Sequence, residues 1–151
     1  MVRPTLLLVL SAKGKIMANA FFDLGMENLC NGNFNWLSDD FRIMGIDHAD
    51  DTPNLSSDDA LDDITGAARV FTSGALSGKT NTGGILDASD VTVASVSGDQ
   101  FESVVLRKET GVESTSYLWM YWDTITGLPF TPAGTDILFI FDNGTNKVAR
   151  P

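Results

Sequence analysis

The chain has 151 residues and a mass of 16.3 kDa, with 20 acidic side chains against 10 basic ones, a net charge of −10 and a sequence pI near 4.2. Phosphate neutralisation needs clustered Lys and Arg, so nucleic acid is excluded as a partner, and the same repulsion argues against anionic membranes. A chain of this length buries about two-thirds of its unfolded surface, enough for one core and not two.

Hydrophobic residues make up 43% of the chain and charged residues 20%, a balance that folds. Sixteen acids are Asp and four are Glu, and there are 14 Gly. Asp and Gly favour caps and turns over helix interiors, so the chain reads as strands and loops. Cys30 is alone, which excludes an internal disulfide and an all-Cys metal site and suits assembly in a reducing cytoplasm.

In chain order, residues 1–16 hold one apolar run, Leu6–Leu10, after Arg3 and before Ser11 and Ala12. The run is too short for a signal peptide, lacks a cleavage site, and is far too short to span a bilayer. It is expected either as an extended arm packing on a neighbouring subunit, through Leu6, Leu7 and Leu8, or as upstream of a true start at Met17. Ala18, Phe22, Met26 and Leu29 then recur at helical spacing, which predicts a helix over 18–30 closed by Asn31-Gly32.

Residues 41–46 read as the first strand. Nine Asp fall between Asp39 and Asp63, opposed only by Arg42. Pro53 and Asn54 mark loop, and Ser57 with Asp58 and Asp59 predicts a short second helix ending at Gly66. No EF-hand loop is present; Asp47, Asp50 and Asp51 could converge on calcium, but a solvated acidic loop is the expectation, with no metal or other cofactor. Further strands are predicted at 69–72, 76–80, 91–96, 101–108, 116–122, 137–141 and 147–149, punctuated by turn residues such as Gly83-Gly84. Asn143-Gly144 predicts a hairpin joining the last two strands. The fold class is therefore mainly β: an antiparallel β-sandwich or flattened barrel with one N-terminal helix and a short second helix, forming a single domain over 17–151 with 1–16 as an extension.

In the strand at 117–122, alternation places Tyr117, Trp119 and Tyr121 on one face and Leu118, Met120 and Trp122 on the other. Two apolar faces imply a strand covered on both sides or an oligomer contact through Tyr117, Trp119 and Tyr121; the same row could stack sugar rings. Catalysis finds little support. His48 is the only histidine and no G-x-S-x-G elbow accompanies it, so the protein is expected not to be an enzyme. Cys30 is expected to pack as a small hydrophobe. Gly78-Lys79-Thr80 completes only the end of a phosphate-binding loop.

The segments MANAFFDLGMENLCNGNFNWLSDDFRIMGID, ITGAARVFTSGALSGKT, VSGDQFESVVLRKETG and GLPFTPAGTDILFIFDNGTNKVARP together resemble a family of small virion structural proteins of tailed bacteriophages, over residues 17–151. The SGDQ-to-KETG unit and the closing D-N-G-x-N-K stretch are its most specific parts. Residues 1–16 have no counterpart, and Phe, Met and Trp replace more polar residues in the helix and in the 117–122 strand. The resemblance implies a virion role with no catalytic residues to carry over. The expectation is a capsid decoration (cement) protein, a homo-oligomer expected as a trimer. It would assemble in the host cytoplasm and bind the major capsid protein on the outer head surface; the other reading is a tail or fibre-tip component that binds a host-surface glycan.

Overall fold

A computed structural model describes residues 19–144 and 147–151, and the backbone of 6–10. The elements are β1 (Leu6–Leu10), β2 (Asn19–Phe21), α1 (Asp23–Cys30), β3 (Phe41–Ile46), β4 (Arg69–Thr72), β5 (Thr80–Thr82), β6 (Ile85–Asp87), β7 (Val91–Ser97), β8 (Ser103–Lys108), β9 (Leu118–Trp122) and β10 (Ala133–Phe141), with 3-10 turns at Leu61–Asp63, Gly66–Ala68 and Glu113–Thr115. The fold is mainly β, and its sheets do not close into a barrel.

The most apolar strands, β3, β8 and β9, form the centre of an antiparallel five-stranded sheet in the order β2-β9-β8-β3-β4. A smaller sheet, β1-β10-β7, packs against one of its faces. Along β10, Ile137, Phe139 and Phe141 are buried while Leu138 and Ile140 are only half-buried, so this sheet has one core face and one outer face. The core between the sheets is aromatic: Phe71 lies 5.2 Å from both Phe101 and Phe139. Gly45 on β3 makes room for it, since a Cβ there would run into the Phe71 ring.

The opposite face of the large sheet presents Met44, Ile46, Val105, Leu118 and Tyr121, all buried. Its cover comes from the acidic segment. Leu61, Ile64 and Ala68 pack onto it with Phe22, and Leu55 lies partly buried at the margin. Several main-chain bonds hold the cover down: Leu61 N–H to Ser116 O (3.1 Å), Leu118 N–H to Asp59 O (2.9 Å) and Asp47 N–H to Ala68 O (2.9 Å). The segment is thus a lid that exposes Asp50, Asp62 and Asp63 and buries its aliphatic residues, not the solvated loop expected from its charge. Its predicted helix is replaced by two 3-10 turns, because the apolar residues must reach a flat sheet and the backbone must bond to β9.

The N-terminal helix is shorter than its periodicity suggests. Asn19, Ala20 and Phe21 are taken by β9, opposite Trp122, Tyr121 and Met120. α1 then crosses the part of β9 that β2 leaves unpaired, with Gly25 so close that a Cβ would sit 2.5 Å from Leu118 O. Covering an open strand edge in this way protects it from other chains. Gly32, with φ 77°, follows the helix as expected.

Three other expectations change. No strand forms at 76–80; instead β5 and β6 make a hairpin around Gly83-Gly84, both at positive φ. Among the described residues the C-terminal hairpin does not form: Ala149 bridges to Leu86, and Gly144 N–H bonds the side chain of Asp142 at 2.9 Å. The reason is occupancy, since β10 already has β1 on one side and β7 on the other. Finally, Leu6, Leu7 and Leu8 lie in a parallel ladder with β10 of the same chain, opposite Ile137, Leu138 and Phe139. The rest of the N-terminal extension lies outside the described residues.

Candidate functional site

The alternation expected along β9 is broken by a β-bulge. Met120 faces Leu106 and Leu118 faces Arg107, so Trp119 is an extra residue without a partner across the ladder. Trp119 and Met120 therefore both enter the aromatic core, while Leu118 and Tyr121 enter the core under the acidic lid. Trp119 is 1% exposed and Tyr121 8%, on opposite faces of the sheet, and Tyr117 is half-buried against the aromatic core. The three side chains do not form a shared surface, so the expected interface through Tyr117, Trp119 and Tyr121 has no exposed area to offer at Trp119 or Tyr121.

Two ends of the large sheet gather distinct chemistry. At the end where β3 leaves and β8 begins, His48 Nε2 lies 2.8 Å from Ser103 Oγ and 3.4 Å from the Tyr121 hydroxyl. The His48 N–H donates to Glu102 at 2.9 Å. Ser103 is fully buried, so the pair lacks the exposure a nucleophile needs and acts as an internal polar tie. Burial pushes the Tyr121 hydroxyl pKa up, and burial likewise raises that of the nearby Asp123 carboxyl, one of whose oxygens is buried without a partner among the described residues.

Close to this end, carboxylate oxygens of Asp47, Asp50 and Asp99 lie within 4.8 Å of one another. Asp51, expected to join the first two, instead accepts the Thr65 N–H at 2.7 Å and pins the lid. Asp99 comes from the turn after β7, a neighbour only the fold could supply. Three hard oxygen donors can approach a calcium-sized ion, though Asp50 and Asp99 are exposed and one oxygen of Asp47 already accepts the Ala49 N–H at 2.7 Å.

Arginine holds the lid's other margin. Arg69 donates to Leu61 O at 2.7 Å and Ile64 O at 2.6 Å and pairs with Glu113. Arg107, 3% exposed, pairs with Glu109 at 2.8 Å while its Nε and Nη1 find no partner among the described residues. Burial works to raise the Glu109 pKa, but the Gly111 N–H and Arg107 outweigh it and hold it below its usual value.

At the opposite end of the sheet, where Phe41 enters and Trp119 bulges, a cleft of about 500 Å³ opens between the segment after α1 and the β5–β6 hairpin. Phe34, Trp36, Leu37 and Trp119 line it with the amides Asn35 and Asn81. The rings pack closely: Phe34 lies 5.0 Å and Trp36 6.0 Å from Trp119. Leu37, at 60% exposure, marks the rim. Lys79 anchors the outside by donating to Asp39 O beneath the Trp36 and Phe41 rings, and burial lowers its pKa. No local motif marks this cleft, because Trp36 and Asn81 are 45 residues apart and Gly83-Gly84 signals only a turn. Cys30, expected as a packed hydrophobe, is exposed.

Among the described residues, no helix is long and apolar enough to cross a membrane. In comparisons with known proteins the chain matches no family model and no curated protein.

Proposed function

We propose that the protein is a structural component of a bacteriophage virion, a capsid decoration (cement) protein that binds the major capsid protein on the outer head surface as a homo-oligomer, with a trimer expected. The observation that carries this reading is the contrast between the protein's two outer surfaces. The acidic lid exposes Asp50, Asp62 and Asp63 and turns its aliphatic residues inward, whereas the outer face of the small sheet keeps Leu138 and Ile140 half-buried and outside both cores. The parallel register sets Leu7 and Val9 beside those two residues. A half-buried apolar stripe on an otherwise acidic protein suits docking against another protein surface, with the charged side facing water. The resemblance to small phage virion proteins over residues 17–151 supports the same reading. Binding only to the assembled shell would stabilise it by mass action.

Copy number tests the proposal. Quantifying the protein against the major capsid protein in purified particles should give hundreds of copies per head. A handful of copies at the tail would overturn head decoration.

A further inference from the structure

We infer that the cleft beside Trp119 binds a neutral sugar ring. The lining combines two features that a hexopyranose uses together, an apolar wall in which Leu37 is exposed over the tightly packed edges of Phe34, Trp36 and Trp119, and hydrogen-bond donors not spent within the protein. Trp119, 1% exposed, has an indole N–H with no acceptor among the described residues. By contrast, the neighbouring Trp36 donates its own indole N–H to Thr80 O at 2.8 Å. The side-chain oxygen of Asn35 accepts the Leu37 N–H at 3.2 Å, which leaves its amide NH2 to a ligand, and Asn81 makes no side-chain hydrogen bond among the described residues. A buried donor without an acceptor is costly, so a ligand hydroxyl placed against it gains what the protein leaves unmade.

The chemistry of the lining narrows the ligand class. None of the described side chains lining the cleft is charged. None of those side chains would neutralise an anionic ligand, which the overall charge of −10 repels, and Pro151 completes the lining. A purely apolar ligand would leave three donor groups unmatched. Neutral polyhydroxylated rings have one apolar face and a rim of acceptors, matching aromatic walls with amides. The volume of about 500 Å³ lies in the ordinary range for small-molecule sites. Sugar recognition then lies on the core side of the β9 bulge and not along an outer row of Tyr117, Trp119 and Tyr121. It stands independently of head decoration, which copy number tests.

The experiment is saturation-transfer NMR of the full chain with millimolar glucose, galactose, mannose and N-acetylglucosamine, and with benzyl alcohol as an apolar probe. At least one sugar should show transfer with a dissociation constant on the order of 1 mM, as suits a single ring. Asn81→Ala, at an exposed strand position, and Trp119→Phe, which keeps an aromatic ring and removes the donor, should each weaken binding by roughly tenfold. Folding of both variants is checked by circular dichroism, and Asn81→Ala carries the test if Trp119→Phe does not fold. Absence of transfer to every sugar, binding of benzyl alcohol alone, or full sugar binding by folded Asn81→Ala would each overturn the inference.

Discussion

The two faces of the five-stranded sheet are buried by different means. On one, a second sheet supplies Ile137, Phe139 and Phe141 at regular two-residue spacing, and the rings of Phe71, Phe101 and Phe139 interlock. On the other, an irregular segment supplies Leu61, Ile64 and Ala68 between Asp residues, held by main-chain bonds and by Arg69. Regular cover is set by strand periodicity and fails only if the core fails. Irregular cover depends on individual hydrogen bonds, and its stability is more local.

Phe139→Ala should separate the faces most sharply. It empties a fully buried ring site between the sheets and should cost about 3–5 kcal/mol, read as a fall in the urea midpoint. Ile64→Ala, equally buried under the lid, should cost about 2–3 kcal/mol because an irregular segment relaxes more readily into the space. Equal losses at the two sites would contradict the distinction.

Arg69→Ala removes the donors to Leu61 O and Ile64 O, and should cost about 2 kcal/mol. Amide exchange should quicken across residues 55–68 before it quickens in β10. Uniform acceleration would show that the lid unfolds only with the whole domain. Replacing the pair together, Arg107→Met with Glu109→Gln, should change stability by no more than about 1 kcal/mol, since the buried guanidinium has two unpartnered nitrogens to desolvate and neither charge is left alone. A loss several times larger would mean that the Glu109 pair is a main anchor.

The smallest effect concerns pH, and the sign differs between sites. Burial raises the Asp39 pKa, but the Asn35 N–H and Lys108 outweigh it, so Asp39, like Glu109, sits below its ordinary value. Their contribution is present above the unfolded values of 3.8 and 4.5 and is lost as pH falls through the lower folded values. Asp123 runs the other way: burial raises its folded pKa above 3.8, so its charged form weakens the fold once pH exceeds that raised value. Asp123→Asn should therefore raise stability at neutral pH by up to about 0.5 kcal/mol. The gain should vanish in acid where Asp123 is protonated in both states. A gain that persists at low pH would assign it to packing instead.

Much of the sheet was legible in the chain itself. Phe41–Ile46 and Arg69–Thr72 are strands over the predicted residues, because alternation or continuous β-branched and aromatic content needs little tertiary help. Cleft and carboxylate cluster were far less legible. Asp99 meets Asp47 and Asn81 meets Trp36 through sheet topology, and no local spacing encodes either meeting.

By itself, then, the sequence determined the class of fold and the positions of the central strands, since composition and two-residue periodicity act locally. Tertiary structure alone decided which strand edges were free, so that Lys147 to Pro151 could not pair with β10, and where the extra residue of β9 fell, so that Trp119 and Tyr121 parted. It also turned the acidic segment after β3 into a lid. Charge alone favours water on every side of such a segment, and only the apolar face waiting beneath it, formed by Met44, Ile46 and Val105 from distant strands, gives Leu61 and Ile64 somewhere to go.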